Sequence, residues 1–142
     1  MTPYVRRSLW PARLGIVAAM AFVLACVPPR LLVQVNAGAG MNQGLPMFVV
    51  ARAVDQAKYL SEPYATVANE VTSPDSSVIQ TAQIYPGRNS QLLLKAPDKT
   101  PLAVYFLFTD PGIRWRLYLE QPMPAKCTIS VEANEIQEAT CQ

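Results

Sequence analysis

Leu31, Val33 and Val35 are apolar and alternate with Leu32, Gln34 and Asn36, the period of a strand with one buried face. Residues 47–54 form the next apolar run. Residues 56–71 then place Ala57, Tyr59, Leu60, Tyr64, Val67, Ala68 and Val71 nearer to helical spacing. Pro63 lacks an amide hydrogen and interrupts that pattern or starts its second part, so the spacing predicts one or two short helices. Strands are predicted over 78–85, 91–95 and 102–108, separated by Pro86-Gly87 and by Ala96-Pro97-Asp98-Lys99. In the next segment Ile113, Trp115, Leu117 and Leu119 share one face, while Arg114, Arg116, Tyr118 and Glu120 share the other. This reading puts Trp115 in the core and pairs Arg116 with a carboxylate on a neighbouring strand. Cys127, Ile129, Val131 and Ala133 repeat the alternation in the last strand. Seven short strands bordered by prolines predict an all-β fold: a two-sheet antiparallel β-sandwich with a short helical insertion.

The exception in composition is the segment between the first two strands, Asn36, Ala37, Gly38, Ala39, Gly40, Met41, Asn42, Gln43, Gly44, Leu45 and Pro46. Its small residues let another backbone approach closely, and Met41 and Leu45 offer apolar side chains to a pocket on a partner. On composition alone it reads equally well as an exposed hook or as a mobile hairpin connection.

The N-terminus reads differently from the rest. Arg6, Arg7 and Arg13 precede an uncharged apolar stretch from Leu14 to Ala25, which ends Val23-Leu24-Ala25-Cys26. Twelve residues of helix cover only about 18 Å, against a hydrocarbon core of about 30 Å, so a cleaved signal fits better than a permanent span. The last four residues resemble the lipid-attachment box of bacterial lipoprotein precursors, which implies cleavage before Cys26, a lipid on its sulfur and an acylated new N-terminus. Val27, where an aspartate would resemble an inner-membrane retention signal, points to the periplasmic face of the outer membrane. The expected organisation is a signal peptide over 1–25, a lipidated tether over 26–30 stiffened by Pro28-Pro29, and one domain over 31–142.

Without Arg6, Arg7 and Arg13, the 12 basic residues fall to nine against 10 acidic ones. Such a balance gives no reason to expect nucleic acid as a partner. The chain has no histidine, which removes Ser-His-Asp triads, Cys-His pairs and histidine-bearing zinc sites. Its carboxylates are scattered, and the glycines of residues 38–44 are too irregular for a phosphate loop. The expectation is a protein without catalytic residues, metal or cofactor other than the lipid on Cys26. Cys127 and Cys141 either bridge or stay as a half-buried thiol and a terminal thiol. An oxidising compartment favours the bridge, worth about 3 kcal/mol in the chain-entropy model.

The order of these features resembles the outer-membrane lipoprotein of the type VI secretion system, the TssJ family. The matching elements are the box at Cys26, Val35-Asn36 closing the first strand, Gly44-Leu45-Pro46 and the valine-rich second strand. They continue with the helical segment, Pro86-Gly87, the run from Leu102 to Phe108, Trp115-Arg116 and the closing run from Ile129 to Ile136. Two places depart from the family pattern. The second strand ends Arg52-Ala53-Val54 where the family has an aromatic-polar-leucine sequence, and Thr109 stands where an arginine is usual. The resemblance implies a transthyretin-like sandwich in a multi-subunit ring complex, gripping the periplasmic C-terminal region of the inner-membrane protein TssM. It places that contact in the loop Asn36 to Pro46. Two other roles fit the same composition: a pilotin that escorts a type II or type III secretin through a groove or strand edge, and a glycan-binding sandwich using Tyr59, Tyr64, Tyr85 and Tyr118.

Overall fold

The computed structural model describes residues 28–142. The expected signal segment 1–25 and the expected lipidation site Cys26 lie outside the described residues. Among the described residues, eight strands form two four-stranded sheets. Sheet A is ordered β4 (Asn89–Lys95), β1 (Arg30–Ala37), β7 (Lys126–Glu132) and β8 (Glu135–Cys141). Sheet B is ordered β3 (Val78–Ile84), β2 (Met47–Ala53), β5 (Leu102–Leu107) and β6 (Arg116–Leu119). The all-β sandwich and its helical insertion are therefore present.

Alternation explains the core. Leu31, Val33 and Val35 of β1, Leu92 and Leu94 of β4, and Cys127, Ile129 and Val131 of β7 turn inward from sheet A. They meet Met47, Val49, Ala51, Ile84, Leu102, Val104 and Phe106 from sheet B. Each such side chain contributes about 1.5–3 kcal/mol when removed from water.

Sheet B is covered on its outer face as well. Two short helices, α1 (Gln56–Ser61) and α2 (Tyr64–Asn69), pack there, and Val54, Val67, Ala103 and Tyr105 form a second core beneath them. Burial on both faces is why β2 and β5 read as continuous apolar runs instead of alternating ones. Asp55 caps α1 by accepting the Lys58 amide at 2.7 Å, and Pro63 in extended conformation separates the helices.

Arg52 joins helices to sheet. Its guanidinium is fully buried, and it reaches Glu62 at 2.8 Å, Asp75 at 3.0 Å and Glu70 at 3.4 Å, with Nε donating to Ser77 Oγ at 2.9 Å. A buried cation is tolerated only with such compensation. Aromatic rings fill the rest of the layer, with Tyr64 edge-on to Trp115 at 4.9 Å and Tyr59 beside Tyr118 at 4.8 Å.

Four expectations need correction. The sheets are not wholly antiparallel, because β1 pairs with β7 in parallel. The residues after β7 form an eighth strand, β8, tied back by the Cys127–Cys141 disulfide. The long strand expected over 113–120 is only Arg116–Leu119, and Ile113 is 93% exposed where the alternation placed it inside. Finally, Arg116 pairs with no carboxylate among the described residues. It donates to the Tyr59 carbonyl and lies over the Tyr59 and Trp115 rings, 4.6 and 5.1 Å from their centroids.

Candidate functional site

The segment linking β1 to β2 sits at one end of the sandwich, and its geometry follows from a few residues. Asn36 and Ala37 still belong to β1. Gly38 then donates to Val131 O at 2.9 Å and accepts from the amides of Met41 and Gly87, each at 3.1 Å. The Glu132 carboxylate lies across this stretch. A Cβ on Gly38 would come within 1.4 Å of Glu132 Oε2, and one on Gly40 within 2.5 Å of Oε1, so glycine at both positions keeps that carboxylate in place.

Met41 next drops fully into the core. The expectation that it projects toward a partner is therefore wrong: a long thioether amid small residues has its own apolar interior to enter. Asn42, Gln43 and Gly44 follow with φ of 50°, 59° and 78°, three successive left-handed residues that reverse the chain. Asparagine and glycine adopt this conformation more readily than other types. The Asn42 side chain locks the turn, donating to Leu45 O at 3.3 Å and Pro46 O at 3.1 Å. The Asn42 backbone amide donates to Ala133 O at 2.6 Å, and the side-chain carboxamide oxygen accepts from the Thr109 amide at 2.7 Å. The loop is a pinned turn. Ala39, Gly40, Gln43, Gly44, Leu45 and Pro46 remain outside, Leu45 with 51% exposure.

Neighbouring connections extend this surface. Between β5 and β6, Gly112 donates to Asn134 O at 2.8 Å, while Arg114 O accepts from the Ile136 amide at 2.7 Å. Arg114 Nη1 donates to Gln137 O, also at 2.8 Å. This strap lies along β8 and presents Ile113 to solvent. Phe48 at the start of β2 and Tyr85 at the end of β3 are exposed at the same end, the Arg88 guanidinium lying 5.8 Å from the Tyr85 ring centre. Leu45, Phe48, Tyr85 and Ile113 are thus exposed apolar side chains spread over the loop end of the sandwich. Sequence reading assigned Leu45 to the partner loop and Tyr85 to a glycan-binding alternative, and missed Phe48 and Ile113. The signal for Ile113 was the preceding Asp110-Pro111-Gly112, a turn sequence that ends any strand register.

The aromatic layer of sheet B has another character. Tyr59, Tyr64 and Tyr118 gather around Trp115 and Tyr105, where they pack helices on sheet, and Tyr85 stands apart from them. Burial, followed by the nearby Glu62 charge, pushes the Tyr105 phenol up to about 12. Its hydroxyl has no hydrogen-bond partner among the described residues. Tyr64 donates to the Phe108 carbonyl.

No curated protein matches the chain in sequence. Among solved structures, the type VI secretion lipoprotein TssJ1 from Pseudomonas aeruginosa superposes with a TM-score of 0.61 at 17% identity, over 82% of this chain and 98% of that one. Serratia marcescens Lip, a membrane-bound component of the type VI secretion system, gives 0.64 at 18% identity, over 82% and 99%. A chain of the structure of the type VI secretion protein TssM C-terminal domain from EAEC gives 0.59 at 18% identity, over 80% and 97%. The resemblance to the TssJ lipoproteins is borne out in the fold. The family model for the IglE N-terminal domain matches residues 48–131. Because that match spans more than half of the 142 residues, the chain belongs to the IglE family, on a sandwich of the TssJ type.

Proposed function

We infer that this chain is a lipoprotein of the type VI secretion membrane complex, held at the periplasmic face of the outer membrane by a lipid on Cys26. Its pinned loop end grips the periplasmic C-terminal region of the inner-membrane protein TssM. The observation that carries this reading is the polarity of β1. The strand begins at Arg30, four residues after Cys26 in the sequence, and ends at Ala37, where the loop begins, so the chain enters the sandwich from the Cys26 side at one end and presents the loop at the other. Eight residues of strand separate the two ends by about 25 Å. The TssJ-type fold supports the assignment, as does the similarity to a chain from a TssM structure. The role is mechanical and requires no chemistry beyond lipidation.

The test is affinity capture from solubilised envelopes. Deleting residues 37–44 is a poor probe, since it removes the buried Met41 and Asn42 and with them part of the core. Leu45→Asp and Phe48→Asp alter only exposed side chains. We expect the double variant to remain in the membrane with an unchanged melting temperature and to lose the inner-membrane partner. Cys26→Ser should abolish membrane retention. Partner capture that survives both changes would overturn the reading, and capture of a secretin would replace it with that of a pilotin.

A further inference from the structure

No helix packs on the outer face of sheet A among the described residues, and the strand register orders its side chains into rows. Arg30 lies opposite Lys95; Leu32 lies between Leu93 and Lys126. The next row, Gln91, Gln34, Thr128 and Thr140, is uncharged, and the one after it runs Asn89, Asn36 and Ser130 and ends on Glu138. Beyond it Glu135 lies opposite Glu132. The face is therefore basic where the chain enters from Cys26 and acidic at the loop end. Lys126 and Glu132 are six steps apart along β7, about 20 Å, which exceeds the screening length of about 8 Å at physiological salt. The two ends act on their surroundings separately.

The basic end has the makeup of a lipid contact. None of Arg30, Lys95 and Lys126 forms an ion pair among the described residues, where the acidic groups are otherwise drawn to Arg52 and Lys58. Asp98 and Glu120, both exposed, lie in the adjoining loops and leave the row itself cationic. Leu93, 51% exposed, lies on the same face of β4 as Lys95, with half-buried Leu32 opposite it and Lys126 on the far side of Leu32. Four peptide steps from Cys26 to Arg30 span at most about 14 Å, so a lipid on that sulfur keeps this row within reach of the headgroups.

We propose that Arg30, Lys95 and Lys126, with Leu93 and Leu32 in the adjoining row, form a second membrane contact that seats on anionic lipid headgroups beside the anchor. The acidic row at the other end is repelled by the same surface, which turns the loop end away from the membrane. Each cation near an anionic surface raises partitioning about fivefold, so the row both strengthens attachment and sets orientation. The proposal rests on the lipidation of Cys26 for its geometry, and its test separates the two.

The lipidated protein is floated with vesicles of phosphatidylcholine alone or with a minority of phosphatidylglycerol, and lysine acetylation is followed by peptide mass spectrometry with Lys58 as internal reference. Flotation with the neutral vesicles reads the anchor; slower acetylation of Lys95 and Lys126 reads the face. We expect both lysines to react severalfold more slowly on anionic than on neutral vesicles, and high salt to abolish the difference. In the Arg30→Gln, Lys95→Gln variant, Lys126 should lose its protection while flotation persists. Equal reactivity on the two vesicle types overturns the proposal even where flotation is intact. Failure to float with neutral vesicles overturns the anchor alone. The face is then read from flotation with anionic vesicles, whose partitioning should fall about 25-fold in the double variant, and an unchanged partition overturns it.

Discussion

The carboxamide oxygen of Asn42 accepts the backbone amide hydrogen of Thr109 at 2.7 Å, joining segments 67 residues apart. One side chain thus ties the turn after β1 to the strap after β5. Asn42→Ala leaves the Thr109 amide without this acceptor, frees two carbonyls and puts a less suitable residue in a left-handed conformation. Stability should fall by about 3 kcal/mol in urea denaturation, a figure combining one unmet buried donor with about 1 kcal/mol of backbone preference. A loss below about 1 kcal/mol would mean that the turn holds without this link.

Arg52 is the heavier joint. In Arg52→Met the carboxylates of Glu62, Glu70 and Asp75 keep only Lys58 as a compensating cation. Removing one partner of a buried ion pair costs about 3–5 kcal/mol, and the same range is expected here from chemical denaturation. Adding Glu62→Gln to Arg52→Met should recover part of that loss. No recovery would show that shape, and not charge, governs the joint.

Acid should attack the same cluster. Hydrogen bonds from the Ser77 hydroxyl and amide, followed by the Arg52 and Lys58 charges, hold the Asp75 carboxyl well below the usual carboxylate range. A depressed folded value means that the stabilisation is complete above the unfolded value near 4 and is lost as pH falls toward the folded one. Thermal melts from pH 5 downward should therefore show an acid loss that Asp75→Asn reduces. An acid slope identical in the variant would contradict this.

Tyr105 produces the opposite slope. Its phenol is raised to about 12, so stability is complete below the unfolded value near 10 and declines as pH rises from there toward 12. Tyr105→Phe should flatten that decline. At neutral pH the change should be neutral or stabilising by up to about 1 kcal/mol, because it removes a buried hydroxyl with no partner among the described residues. Melting temperatures at pH 8 and pH 11 test both statements.

These residues also show what the sequence revealed. Alternation identified β1 and β7, while continuous apolar runs identified β2 and β5, since those signals arise from one-sided and two-sided burial. Pro63 marked the break between helices. Nothing in a periodic pattern names a strand's partner, so the parallel pairing of β1 with β7 was hidden. Strand β8 escaped because it is an edge with only Ile136 and Ala139 turned toward the core, among Glu135, Gln137 and Glu138. Ile113 matched the alternation through the accident of spacing across a turn. At the candidate site, the loop's place in the chain was legible, whereas its rigidity was not: Met41 and Asn42 act through distant contacts. Arg52 entered the sequence reading only as part of Arg52-Ala53-Val54, a departure from the family pattern, because its ion pairs exist only once the helices fold over the sheet.

The central position of β1 determines how the molecule carries force. A tension between Arg30 and Asn42 runs lengthwise along a strand bonded on one side to β4 and on the other to β7. The hydrogen bonds of both ladders lie across that direction and are loaded together, in shear, instead of opening one after another from an end. The load path from Arg30 to the loop is thus one strand long, and it crosses neither the helical insertion nor sheet B.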